Sequence, residues 1–324
     1  MKYNYKIYLS IIVLIIISVG IYLYTLPNIT ENFEENTEVI DFFQGLAIGN
    51  TLACYFYSMG LAFLRGKNFE TPSINGRSDF IQHLPNKVGF DKTIQDAFIL
   101  AGITNESLDE ELNKINGLCV SSWTVLSKER ETFWTIMKPK VNELIKQALE
   151  KSGLNKQTDA PVIHYRCSDV PFLRMSNYHF HKYSFFKNGL DMIQEKTGKK
   201  YNKVYISYCN THDAPIESQE SCDIYFKSFV KYLESLGYEV ISKCNSPDED
   251  FATMFYAPGI ISTSSSFSFM AGFFSDGVFV SSFYDEKSDR KCDNCDDWLQ
   301  NGYTLKHLNV IDYHDQQSVI SQLQ

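Results

Sequence analysis

The second half of the chain repeats one pattern, and that pattern leaves few folds open. Short apolar runs rich in β-branched and aromatic residues alternate with longer amphipathic stretches. "APVIHYRC" (160–167) is followed by "YSFFKNGLDMIQEKTG" (183–198), "KVYISYC" (203–209) by "SCDIYFKSFVKYLESLGY" (221–238), and "EVISKC" (239–244) by "PDEDFATMFYAPG" (247–259). "IISTSSS" (260–266) then leads into "FSFMAGFFSDG" (267–277), with strand-like "VFVSS" (278–282) and "HLNVIDYH" (307–314) behind it. Alternation at this spacing means βαβ units and a mostly parallel sheet, an α/β protein. The first half opens alike: a brief strand, "VIDFF" (39–43), a glycine turn, "QGLAIGN" (44–50), and a helix over 51–64. Leu52, Tyr55, Phe56, Met59 and Phe63 form a stripe along that helix. Helices are also expected near 91–102 and over 133–151. The turn-rich stretch 152–161, "SGLNKQTDAP", divides the chain into an N-terminal unit (39–155) and a C-terminal unit (156–324).

The N-terminus carries a different signal. Ile7 to Leu26 is an uncharged run of 20 residues, long enough to cross a bilayer core. Tyr3, Tyr5, Tyr8, Tyr22 and Tyr24 flank it as interfacial aromatics do. Lys2 and Lys6 precede it, and Glu31, Glu34, Glu35 and Glu38 follow. The lysines mark the cytoplasmic side, so residues 1–26 read as a cytoplasmic tip and signal anchor, 27–38 as a stem, and the rest as lumenal. A cleaved signal peptide is the rival reading, but the run is long and no A-x-A-like site follows it.

The chain has eight cysteines and a formal net charge of -9. The acidic balance argues against a nucleic-acid coat protein and leaves room for a local phosphate pocket. Cysteines of a lumenal domain can pair. Cys292-Asp-Asn-Cys295 is half a zinc motif with no second half, so a metal is not expected. Asn28-Ile-Thr30 and Asn105-Glu-Ser107 are sequons.

Three polar clusters fall at strand ends, where parallel α/β sheets bind ligands. These are Gly45 to Asn50, His164 to Asp169, and Ser262 to Ser268. Glycines let backbone N–H groups approach a phosphate, a helix starting near Ser265 offers free N–H donors, and Arg166 can form a bidentate phosphate contact. Each cluster also has a plain structural reading as a turn, a cap or an ion pair.

In order and spacing, over roughly residues 44 to 280, the three clusters resemble the α-1,2-fucosyltransferase-like family of inverting glycosyltransferases. Gly49-Asn50-Thr51-Leu52, Tyr55 and Leu61-Ala62 match its G-x-G-N loop and following helix. His164-Tyr165-Arg166-Cys167-Ser168-Asp169 stands where the family has H-x-R-R-G-D. Glu249-Asp250, Met254 and "IISTSSSFSFM" (260–270) follow its third motif, with Ser265-Ser266-Phe267-Ser268 matching directly. The chain departs at Cys167 for the second arginine, Ser168 for glycine, Ser264 for asparagine, and Phe269 and Met270 for the tryptophans.

The resemblance implies a GT-B fold of two Rossmann-like domains facing a cleft, with the donor on 156–324 and the acceptor on 39–155. It implies transfer of fucose from GDP-fucose to a glycan hydroxyl, with inversion and no required metal or other cofactor. Gly49, Asn50, Arg166, Ser264, Ser265, Ser266 and Phe267 would hold the donor. Arg166, Asp169 and His164 would serve the chemistry, with Asp169 as base or as orienter of Arg166, and His164 as base or as a packed strand residue. The expected setting is a single-pass type II protein of a Golgi-like membrane. Two alternatives stay open. One is a GT-B transferase for another sugar nucleotide; the other is a non-catalytic nucleotide- or glycan-binding relative, because Cys167 removes a charge that Arg174 could replace. Asp248-Glu249-Asp250 spells a D-x-D metal motif but sits at a helix start, where Glu249 and Asp250 can equally be capping residues.

Overall fold

The computed structural model describes residues 36–39, 47–72, 74, 78–108, 128–167, 170, 180–210, 214–263, 265–281 and 315–324. The expected membrane anchor, the 307–314 strand and the Cys292/Cys295 pair lie outside them. Among the described residues no helix is long and apolar enough to cross a membrane.

The C-terminal half forms the expected parallel sheet. Its strands are β4 (Val162–His164), β5 (Lys203–Ser207), β6 (Glu239–Lys243), β7 (Gly259–Ser262) and β8 (Val278–Ser281). Their spatial order is β6-β5-β4-β7-β8, and every neighbouring pair is parallel. The first strand of the half therefore sits in the middle, and the winding reverses between β4 and β7. This is a doubly wound, Rossmann-like sheet, and a crevice opens at such a reversal, beyond the strands' carboxyl ends.

The period of two decides what each face buries. Ile163, Val204, Ile206, Ile261 and Val280 pack under α4 (Tyr183–Thr197), α5 (Ile216–Ser235) and α8 (Gln316–Leu323). Val162, Ile260 and Phe279 face the other way, toward α6 (Pro247–Phe255) and α7 (Ser266–Phe273). Local chemistry sets the helix ends. Gly198 closes α4 with φ +66°, a left-handed turn that glycine adopts without strain. Ser246 opens α6 by accepting from Glu249 N, while the Glu249 side chain accepts from Ser246 N; Pro247 fills the first helical position.

The N-terminal half contains β1 (Thr37–Val39), α1 (Ile48–Leu64), β2 (Asn68–Glu70), β3 (Lys87–Val88), α2 (Lys92–Leu100) and α3 (Lys128–Lys151). β1 and β2 pair in parallel across α1, and β3 adds antiparallel to β2, so this small sheet is mixed. The stripe read on α1 understates its burial, since 14 of its 17 residues are inside. A helix apolar on every side is a central helix. α1 packs against α2, α3 and α7, and one hydrophobic core runs from it through α3 into α6, α7 and the strands. Phe80 stacks on Phe251 at 4.9 Å, and Asp248 accepts from Asp79 N at 2.8 Å, joining the two halves beside the first turn of α6.

Candidate functional site

β4, β5, β6, β7 and β8 end in register. His164 pairs with Ser207 on one side and Ser262 on the other, Ser207 pairs with Lys243, and Ser262 with Ser281. Residues paired across strands point to the same face, here the face of Val162 and Ile260. The apolar core of that face thus stops at a polar rung, Lys243-Ser207-His164-Ser262-Ser281, that crosses the whole sheet. Ser262 and Ser268 share a hydrogen bond of 2.7 Å, tying the rung to α7.

Beyond the rung the β4 chain keeps its alternation. Tyr165 and Cys167 are buried in the core under α4 and α5, and Tyr165 stacks on Phe229 at 5.1 Å. His164 and Arg166 are half-buried between them and take the opposite face, that of the rung. Thr263 ties this strand end to the next: its Oγ1 donates to the His164 carbonyl at 2.8 Å and accepts from Arg166 N at 3.2 Å. The reversal point therefore brings together two of the three sequence clusters.

The third cluster joins them through its helical end. Gly49 and Asn50 belong to the first turn of α1, which starts three residues earlier than its pattern indicated. A Cβ on Gly49 would collide with the backbone of Ser266 and Phe267. The glycine therefore lets the N-termini of α1 and α7 touch. Ser265 caps α7 by accepting from Phe267 N at 3.3 Å, and Ser266 and Phe267 form its first turn. The Phe267 ring lies 5.8 Å from the His164 ring and 5.7 Å from Phe251. Neither α1 nor α7 has an acidic residue in its first turn, and Ala47 gives α1 no side-chain cap. Asp169 and Ser264, and with them Ser168 and Arg174, lie outside the described residues.

No family model, curated protein or solved structure matches this chain. The site rests on its own geometry.

Cys167 has a role its sequence position did not reveal. It forms a disulfide with Cys222 of α5, and Cys209, just beyond β5, forms one with Cys244, just beyond β6. Cys54 is disulfide-bonded too. An arginine at 167 would be driven into the α5 core, while the cysteine that stands there ties the Arg166 segment to α5.

The carboxylates of 248–250 separate. Asp248 accepts from Asp79 N, Glu249 completes the α6 cap, and Asp250 turns inward. Asp250, 5% exposed, accepts from Ser207 Oγ at 3.1 Å and Asn245 Nδ2 at 2.8 Å. Burial raises its pKa above the ordinary aspartate value, against those two hydrogen bonds. By sequence Asp250 is open between the third family motif, a D-x-D spelling and helix capping. The structure gives capping to Ser246 and Glu249 and leaves Asp250 as a buried acid bonded to the rung. Of its two partners, Asn245 is five residues away in the loop before α6, while Ser207 lies 43 residues away on β5, a neighbour that sequence spacing does not reveal.

Proposed function

We propose that the chain is a membrane-anchored, inverting glycosyltransferase that moves fucose from GDP-fucose to a glycan hydroxyl without a metal. The observation that carries this reading is the meeting of two helix N-termini, at Gly49 and Phe267, beside the strand end bearing His164 and Arg166. Two positive helix ends in contact repel one another, and neither has an acidic side chain in its first turn to offset that. A bound diphosphate relieves the repulsion, and a guanidinium such as that of Arg166 can bind two phosphate oxygens at once. As the sugar's anomeric C–O bond breaks, charge grows on the leaving diphosphate, and fixed dipoles and a guanidinium stabilise it more as it grows.

Inversion requires a base for the acceptor hydroxyl. Asp169 is one candidate by sequence. Asp250 is the other: its raised pKa and its place on the rung suit proton transfer. His164 packs on Phe267 and holds the rung. In this reading 156–324 is the donor half of a GT-B pair, 39–155 carries the acceptor side, and the catalytic part is lumenal in a Golgi-like membrane.

Arg166→Ala should abolish transfer of fucose while leaving the circular-dichroism melt in place; full activity in that variant would falsify the assignment. A thermal-shift series with GDP, UDP and CMP identifies the donor, since a ligand of the folded state raises the melting temperature by mass action. GDP should give the largest rise. Cys167, standing where the resembled family has a second arginine, favours one other reading, a protein that binds the nucleotide without transferring. GDP affinity with no fucose released from GDP-fucose would establish it.

A further inference from the structure

We propose that Asn105 carries an N-linked glycan. The sequon Asn105-Glu106-Ser107 opens the helical stretch that begins at residue 105 after α2, and its geometry presents the acceptor atom. Arg65 Nε donates to Asn105 Oδ1 at 3.1 Å, and the same guanidinium pairs with Glu38. With its oxygen held by Arg65, Asn105 leaves Nδ2 with no hydrogen-bond partner among the described residues. The start of that helix is secured without the Asn105 side chain: Thr104 N donates to Ser107 Oγ at 3.1 Å, and Ser107 N donates to Thr104 Oγ1 at 3.2 Å. A sugar on Nδ2 therefore disturbs no contact that holds the helix start.

Independent observations point the same way. The disulfides Cys167–Cys222 and Cys209–Cys244 belong to a chain that folds in an oxidising compartment, where Asn-linked glycans are added. At the end of α2, just before the sequon, Ile99 is 63% and Leu100 91% exposed. Such an apolar tip invites association, and a hydrated glycan beside it hinders that. The position also spares the proposed donor site. α1 runs from Gly49 at the crevice to Arg65 at the glycan, about 25 Å at the helical rise.

The step is a glycosyl transfer from a lipid-linked oligosaccharide diphosphate. Nδ2 bonds to the anomeric carbon of the first sugar, the bond from that carbon to the diphosphate oxygen breaks, the lipid diphosphate leaves, and Nδ2 gives one proton to the transferring enzyme's base. The inference rests on the compartment and not on the sugar-nucleotide chemistry, so either can fail alone.

The test is the full chain expressed in a eukaryotic secretory host and analysed by peptide mass spectrometry. The peptide spanning Asn105 should bear a glycan that peptide-N-glycosidase removes, leaving aspartate. Asn105→Gln and Ser107→Ala should both remove it. Ser107→Thr, which keeps the hydroxyl, should retain it with an unchanged melting temperature. Unmodified Asn105 in protein whose Cys167–Cys222 bond has formed overturns the proposal, and so does protein that stays reduced, because the compartment argument then fails.

Discussion

Single side chains decide the character of this site, and Gly49 is the sharpest case. One methyl group there would meet backbone rather than a movable side chain. Gly49→Ala should therefore cost about 1–3 kcal/mol, the range for forcing atoms into a packed interior, read from urea midpoints; a cost under half a kcal/mol would mean the helices are free to separate. Asp250 makes the opposite demand. Its pKa is raised by burial, so the folded chain holds the proton more tightly than the unfolded one. Stability then falls as pH rises from the ordinary aspartate value, about 4, to the raised value, and levels off above it. Melting temperatures of Asp250→Asn should lack this decline, and parallel pH curves for wild type and variant would remove Asp250 from the account. Position 167 shows where reading from sequence stops. As a letter it was a lost positive charge beside Arg166; in space it faces away from Arg166 and bonds to Cys222, and cysteine connectivity is not written in spacing.

Elements were more legible than residues. α4 runs from Tyr183 as its pattern indicates, and the five strands of the large sheet fall where apolar runs lie, because period and stop signals are local. Strand order was not local. That β4 is central, with β5 and β7 on either side, follows from packing among segments some 100 residues apart, and that order is what unites His164, Arg166 and Thr263. The two disulfides add an asymmetry. They fasten the carboxyl-end segments of β4, β5 and β6, while β7 and α7 are held by serine and threonine hydrogen bonds. Cys167 and Cys222 are 2% and 0% exposed, whereas Cys244 is at the surface. Graded reductant with alkylation and mass spectrometry should open Cys209–Cys244 first. Paired Cys167→Ala and Cys222→Ala changes, which release a loop of 55 residues, should cost roughly 3–4 kcal/mol; simultaneous reduction of both bonds would contradict this ranking.

At the scale of the molecule the two halves share one core. α1 and α3 pack into the same cluster as α6, α7, Val162, Ile260 and Phe279, with Phe80 on Phe251 joining them. Heating should therefore give one transition, with aromatic and backbone signals coincident. Phe251→Ala should lower it by about 3–5 kcal/mol without splitting it; two separated transitions would mean that the halves fold apart. The same architecture bears on how such a protein changes over generations. The row Lys243-Ser207-His164-Ser262-Ser281 sits one residue beyond the apolar layer, at the last position of every strand in the sheet. Of that row only His164 and Lys243 reach solvent, so a lineage can exchange those two and alter what a ligand at the strand ends meets, while Ser207, Ser262 and Ser281 stay packed inside and keep the strands as they are.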